Sequence, residues 1–194
     1  ALGALSVLAS LFFMMKVREP APAQLPPRQS TREFWSGVRG ILRTGGNFRW
    51  YLVSRVAMAL GALGTGFVTL SAIRIWGVSD ATVGGYTGLS LVGEAAGLLA
   101  AGVLADRRGH KLSLELAALA YAAAFGLAAW APDPRVYFLV FVLIGLGLGG
   151  QITSGVMLTL EFAPPGRQPT YAGLVNTTLG IVGVSAPLIG AWLA

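Results

Sequence analysis

The chain has 194 residues, of which 55% are hydrophobic and only 11% are charged, with no cysteine and one histidine. Soluble domains have about 25% charged residues, so this composition indicates a protein embedded in a lipid bilayer. Zero cysteines exclude disulfides and thiolate metal sites, and one histidine excludes a histidine-rich metal cluster. The basic residues behind the net charge of +6 lie in short segments between apolar runs, which argues against a nucleic-acid-binding face.

The first predicted element is the apolar segment 1–15, which is shorter than the roughly 20 residues that a membrane-spanning helix needs. It has no basic residue before it, whereas Lys16 and Arg18 follow it. This order is the reverse of a signal peptide and is typical of a helix that leaves the membrane on the cytoplasmic side. We expect the segment to be the end of a helix whose start lies upstream.

The next region, 16–49, is rich in proline and carries seven basic and two acidic residues, which is typical of a cytoplasmic linker. Ser30 and Glu33 have the spacing of a capping box, which marks the start of a helix. Apolar residues then fall on one helical face and arginines on the opposite face, so we expect a short amphipathic helix on the membrane surface. The apolar residues are Phe34, Trp35, Val38, Ile41 and Leu42, and the arginines are Arg32, Arg39 and Arg43.

Five longer apolar segments follow within 50–194, and each can cross about 30 Å of hydrocarbon as a helix. The predicted spans are 50–73, 83–105, 112–131, 136–162 and 170–193. With the linker in the cytoplasm, eleven of the 14 Lys and Arg residues lie inside, Arg74 and Arg135 lie outside, and Arg55 lies in a span. This distribution satisfies the positive-inside rule.

Residues 102–111, between the second and third of these spans, read GVLADRRGHK. Gly102 and Gly109 permit close backbone approach and a tight turn, and Asp106 can cap a helix. The cations that keep this short charged loop in the cytoplasm are Arg107, Arg108 and Lys111. A generic positive-inside loop is the plainer interpretation of the same residues.

This string closely resembles the G-x-L-a-D-r-x-G-r-k loop of the major facilitator superfamily, with His110 in place of the usual arginine, so that one positive charge depends on pH. In that family the loop lies between helices two and three and again between helices eight and nine, and a long basic linker joins the two six-helix halves. The resemblance implies an all-α, polytopic transmembrane helical bundle, truncated to helices six to eleven of the carboxy-terminal half. The string FAPPGRQPTYAG at 162–173 and the residues Asn176, Pro187 and Gly190 also look like the family.

Three pairs of glycines spaced four residues apart lie in the spans. Each glycine costs about 1 kcal/mol relative to alanine in a helix, and this spacing lets two helix backbones approach closely. Two interpretations stay open: static packing, or smooth faces along which helices slide when a cavity alternates its access. The pairs are Gly84 with Gly88, Gly93 with Gly97, and Gly145 with Gly149.

Four ionisable residues lie inside the apolar spans, where burial is costly unless a partner or water is near. Arg55, Glu115 and Glu161 lie near the cytoplasmic ends, which favours a gate network of charges together with the 102–111 loop over snorkelling to the headgroups. The resemblance implies that such a network closes the inside in the outward-open state, with Asp106 at a helix N-terminus of the other half.

Glu94 is the deepest charge, near the middle of its span. We interpret it as a cavity carboxylate that carries a proton or pairs with a cationic substrate; the alternative is a structural carboxylic acid. Gln151 and Asn176 are candidate substrate contacts at a similar depth, although such groups more often bond to a neighbouring helix.

The sequence contains no phosphate-binding glycine loop and no arrangement of catalytic residues, so we expect neither an enzyme nor a cofactor. The predicted function is secondary transport of a small solute by alternating access, with proton-coupled efflux as the suggested form, in the inner membrane. The expected partners are the lipid bilayer, the solute, the proton and the amino-terminal half of the same protein, without which we expect no transport. The alternative is a non-transporting membrane anchor or assembly domain with the same fold.

Overall fold

The computed structural model describes Ser10, residues 12–17 and residues 30–193, without the side chains of Phe34 and of residues 186–193. It divides into two units, Ala1–Thr31 and Arg32–Ala194. In the first unit, helical residues end at Met14, and most of the predicted segment 1–15 lies outside the described residues. The second unit contains the bundle.

Six helices follow one another from Thr31 onward, and the described residues contain no strand, which confirms the all-α fold. They are α1 (Thr31–Thr44), α2 (Gly46–Trp76), α3 (Asp80–Arg108), α4 (His110–Ala129), α5 (Val136–Glu161) and α6 (Gln168–Leu193). Among the described residues, α2, α3, α4 and α5 are long and apolar enough to cross a membrane. The 26-residue α6 overlaps the last predicted span.

The amphipathic pattern of the linker corresponds to α1. Val38 and Ile41 are buried, and Ile41 belongs to the same hydrophobic core as residues of α2 and α4. Trp35, by contrast, is 62% exposed. The apolar face of α1 is therefore divided between the bundle and the surroundings, and its position on a membrane surface stays a prediction.

The turn between α3 and α4 consists of a single residue, which corrects the prediction of a ten-residue loop at 102–111. The helix α3 continues through Asp106 to Arg108, and α4 begins at His110. Gly109 has φ +86° and ψ 157°, a conformation that residues with a Cβ rarely adopt. Continued helix keeps the backbone hydrogen-bonded, and the two arginines in the last turn of α3 stabilise its negative C-terminus. We call this end of the bundle the motif end.

The helices α3 and α5 touch backbone to backbone through glycines. A Cβ on Gly145 would overlap the carbonyl oxygen of Ser90, and one on Gly149 would lie 2.6 Å from the backbone nitrogen of Leu98. The facing glycine Gly97 packs in the same way, since a Cβ there would lie 2.5 Å from the carbonyl oxygen of Leu146. The close packing predicted from glycine spacing is confirmed for these residues.

The pair Gly84 and Gly88 behaves differently. An added Cβ at either position meets no described atom within 4 Å, and both residues are exposed. For this pair the prediction of close helix contact is wrong within the described residues, because the four-residue spacing places the two glycines on one face but does not determine what that face meets.

Aromatic rings hold the helices together at both ends. At the end opposite the motif, the ring of Tyr86 in α3 stacks on Phe141 in α5 at 5.1 Å, and its hydroxyl donates to the carbonyl of Pro134 at 2.8 Å. At the motif end, the Phe48 ring contacts Phe162 and Tyr171, with centroids 5.7 and 4.7 Å away. These contacts fix the start of α2 against the end of α5 and the start of α6.

We predict that Gly145→Ala lowers the stability of the whole protein by about 1–3 kcal/mol, because the new methyl group forces α3 and α5 apart. The measurement is unfolding of the purified protein in detergent. Gly84→Ala is the matched control, since it makes the same change where nothing lies within 4 Å. Equal stability of the two variants would contradict the packing argument.

Candidate functional site

The charged residues of the 102–111 motif lie at the exposed motif end. Asp106, Arg107, Arg108 and Lys111 are all exposed, and Gly102 has no described neighbour at its Cβ position. Lys111 forms an ion pair with Glu115 one turn later, at 3.5 Å. Both partners are more than half exposed, so the pair contributes little to stability.

His110 connects α4 to α5. Its Nδ1 lies 3.4 Å from the hydroxyl oxygen of Ser154, a fully buried residue, and its Nε2 lies 3.9 Å from a carboxylate oxygen of Glu161. The predicted gate residue Glu161 thus meets the motif through His110. The sequence-based site did not include this contact with Ser154.

Arg55 lies deeper than expected and forms no ion pair with Glu115 or Glu161 among the described residues. Because α2 begins at Gly46, Arg55 lies nine residues after the start of the helix, or about 13 Å along its axis. It is only 8% exposed and belongs to the buried stripe of α2. The described residues therefore contain no direct ion pair between Arg55 and the other two predicted gate charges, and the gate network stays a prediction.

The guanidinium of Arg55 rests against the backbone of Gly155 in α5. A Cβ on that glycine would lie 2.6 Å from Nη1 and 2.7 Å from Cζ. The Arg55 atoms Nε and Nη1 have no hydrogen-bond partner among the described residues. The absence of a side chain at Gly155 is what makes room for the arginine.

Tyr51 fixes the same contact one turn earlier in α2. Its buried hydroxyl lies 2.6 Å from the carbonyl oxygen of Gly155 and 2.7 Å from the hydroxyl oxygen of Thr159. Thr159 also donates to the Gly155 carbonyl, at 2.8 Å. These residues were not predicted, although the four-residue spacings of Tyr51 with Arg55 and of Gly155 with Thr159 could have indicated two facing stripes.

Tyr121 in α4 extends this polar region toward α3. The side chain is 6% exposed and packs on Gly147, whose added Cβ would lie 2.7 Å from the ring. The phenol interacts electrostatically with both Glu94 and Arg55. The predicted cavity carboxylate is half-buried at the middle of α3.

Of the two predicted polar contacts, only Gln151 points into the bundle. Its Nε2 is buried and has no hydrogen-bond partner in the described part of the chain. Asn176, by contrast, is exposed on α6, so the structure does not bring it together with Gln151. We refer to Tyr51, Arg55, Tyr121, Gln151 and Thr159 as the buried polar cluster.

A cleft of about 500 Å³ lies beside the cluster, between α2, α4 and the end of α5. Tyr51 lines both the cleft and the cluster. Much of the remaining wall is apolar, with charged groups near the motif end; it consists of Asn47, Trp50, Ser54, Lys111, Leu114, Glu115, Ala118, Leu158 and Phe162. The described residues contain no group of three His, Asp or Glu side chains that could hold a metal ion.

The major facilitator superfamily model matches residues 56–194. The chain is 29% identical over 149 residues to a niacin transporter of Acinetobacter baylyi, covering 74% of this chain and 34% of the relative. It is 28% identical to a gallate transporter of Pseudomonas putida, covering 66% and 28% of the two chains.

A 4-hydroxybenzoate transporter of Pseudomonas aeruginosa is 34% identical over 100 residues, which cover 51% of this chain and 22% of the relative. No solved structure matches. The chain thus spans about a third or less of the length of these relatives. The family match, the apolar helices and the glycine-packed bundle agree with the motif, and the chain belongs to the major facilitator superfamily of multi-pass membrane proteins.

Proposed function

We propose that the whole protein is a secondary transporter of small aromatic carboxylic acids. The observation that carries this proposal is the chemistry of the solutes in the names of its relatives. Niacin, gallate and 4-hydroxybenzoate each consist of an aromatic ring with one carboxylic acid. This class is more specific than the small solute predicted from sequence.

Transport proceeds by alternating access, in which two halves rock around a site near the middle of the membrane. The chain has no phosphate-binding glycine loop, so the driving force in this proposal is an ion gradient. The exposed charges at the motif end form the inner gate, and Asp106 meets a helix N-terminus of the other half. Glu94 carries the coupling proton, because among the described residues it is the one carboxylate at the middle of a helix that can span the membrane.

The decisive experiment reconstitutes the full-length protein into liposomes and measures movement of labelled 4-hydroxybenzoate, nicotinate and gallate. We expect a proton gradient to drive accumulation of at least one acid, and a protonophore to abolish it. Accumulation on the side opposite to the proton movement would identify the export predicted from sequence, and accumulation in the same direction would identify proton symport. Movement equal to that in protein-free liposomes for all three acids would contradict the proposal and favour the anchor alternative.

We predict that Glu94→Gln abolishes gradient-driven accumulation while leaving exchange of labelled for unlabelled acid intact, because the amide cannot bind and release a proton. The assay is the same liposome measurement over a range of pH. The matched control is Asp80→Asn, which removes an exposed carboxylate from the first turn of the same helix. Wild-type accumulation and pH dependence in the Glu94 variant would remove this residue from the coupling mechanism.

The motif end faces the cytoplasm in this proposal, and cysteine labelling tests that orientation. Arg108→Cys should react with an impermeant maleimide in inside-out inner-membrane vesicles, and Arg135→Cys should react in right-side-out vesicles, since both side chains are exposed at opposite ends of the bundle. Each variant is made in a full-length protein without other cysteines. The reverse pattern would invert the topology.

A further inference from the structure

The buried polar cluster contains hydrogen-bond donors that have no acceptor. Three buried side-chain atoms have no partner in the part of the chain that the structure describes, namely Nε and Nη1 of Arg55 and Nε2 of Gln151. All three are donors. A group that completes this cluster must therefore supply acceptor atoms.

The charge of Arg55 makes the group an anion. A guanidinium that is only 8% exposed in a spanning helix is strongly unfavourable unless a negative charge balances it. Two of the predicted gate carboxylates have other neighbours: Glu115 pairs with Lys111, and a carboxylate oxygen of Glu161 lies 3.9 Å from Nε2 of His110. No described carboxylate forms an ion pair with Arg55.

We propose that Arg55 and Gln151 bind the carboxylate of the transported aromatic acid. The two residues lie on facing helices: Arg55 rests on Gly155, and Gln151 lies one turn before that glycine on the same side of α5. The two oxygens of a carboxylate offer about four acceptor positions, enough for the three unmet donors. This inference rests on the proposed function, which supplies the anion.

The residues next to the cluster hold α2 against α5 and leave an apolar cleft beside it. The Tyr51 hydroxyl is engaged with Gly155 and Thr159, so it fixes α2 on α5 rather than binding solute. The cleft beside the cluster is lined by Tyr51 and Ser54, which lie four residues and one residue before Arg55 in α2. Its walls at Leu114, Ala118, Leu158 and Phe162 give the aromatic ring an apolar surface.

The first test needs no variant. It compares binding of 4-hydroxybenzoate and 4-hydroxybenzamide to the purified full-length protein at neutral pH by calorimetry. The two molecules have nearly the same shape, but only the acid is an anion. We expect the acid to bind about 10 to 100 times more tightly than the amide, the range for hydrogen bonds to a charged group. Equal affinities would overturn the inference.

The second test determines whether the residues of the buried polar cluster cause the preference for the acid over the amide. Arg55→Gln should weaken acid binding by about 10- to 100-fold and leave amide binding nearly unchanged, while Gln151→Leu should weaken acid binding by about fivefold. Arg55→Lys should fall between wild type and Arg55→Gln, because it keeps the charge but not the guanidinium geometry. Arg49→Gln is the matched control, since it removes an exposed positive charge from the same helix.

The outcomes separate the two proposals. If the wild-type protein transports aromatic acids but Arg55→Gln retains the preference for acid over amide, the carboxylate site is overturned and the transport function stands. An Arg55→Gln protein that is less stable but folded, and that keeps this preference, assigns Arg55 a structural role and also overturns the site. If Arg55→Gln does not fold, the ratio of acid affinity to amide affinity in Gln151→Leu decides. A ratio equal to that of the wild-type protein overturns the site. If the wild-type protein neither binds nor transports any of the three acids, both proposals fail.

Discussion

Backbone contact along α5 is the constraint on which the rest of the bundle depends. Lipid surrounds the helices with a solvent as apolar as their side chains, so association requires close packing rather than removal of apolar surface from water. The glycines of α5 meet this requirement on three sides, with Gly149 facing α3, Gly150 touching Ala117 of α4, and Gly155 holding the arginine of α2. This explains why α5 is the most buried of the four membrane-spanning candidates.

The same constraint determines where polar groups can lie. A glycine has no side chain to cover its carbonyl group, so a side chain of a neighbouring helix can reach that group. The carbonyl of Gly155 accepts hydrogen bonds from the hydroxyls of Tyr51 and Thr159. Replacing that glycine by a residue with a side chain would place a Cβ 2.6 Å from Nη1 of Arg55, so the guanidinium would have to move. Gly155 therefore contributes both to the packing of α2 on α5 and to the space that the charged side chain occupies.

The sequence predicted the spans well because a chain segment that crosses a bilayer must bond its backbone groups internally. A helix of about 20 apolar residues meets this requirement, and such a stretch is easy to recognise. The largest boundary difference is at the start of α2, which begins four residues, or about one helical turn, before the predicted position. The contact of Tyr51 with Gly155 joins residues 104 positions apart. Periodicity identifies which residues share a face of one helix, but the pairing of two faces depends on how the helices pack, and one sequence does not contain that information.

Two consecutive residues of α5 connect the motif end with the buried polar cluster. Ser154 faces α4 through His110, and Gly155 faces α2 through Arg55 and Tyr51. Successive residues of an α-helix project about 100° apart, so both neighbours are fixed to one turn of backbone. The contact of α4 with Ser154 and the contact of α2 with Gly155 are therefore held at adjacent positions of one rigid element, and no loop separates the motif end from the buried polar cluster along α5.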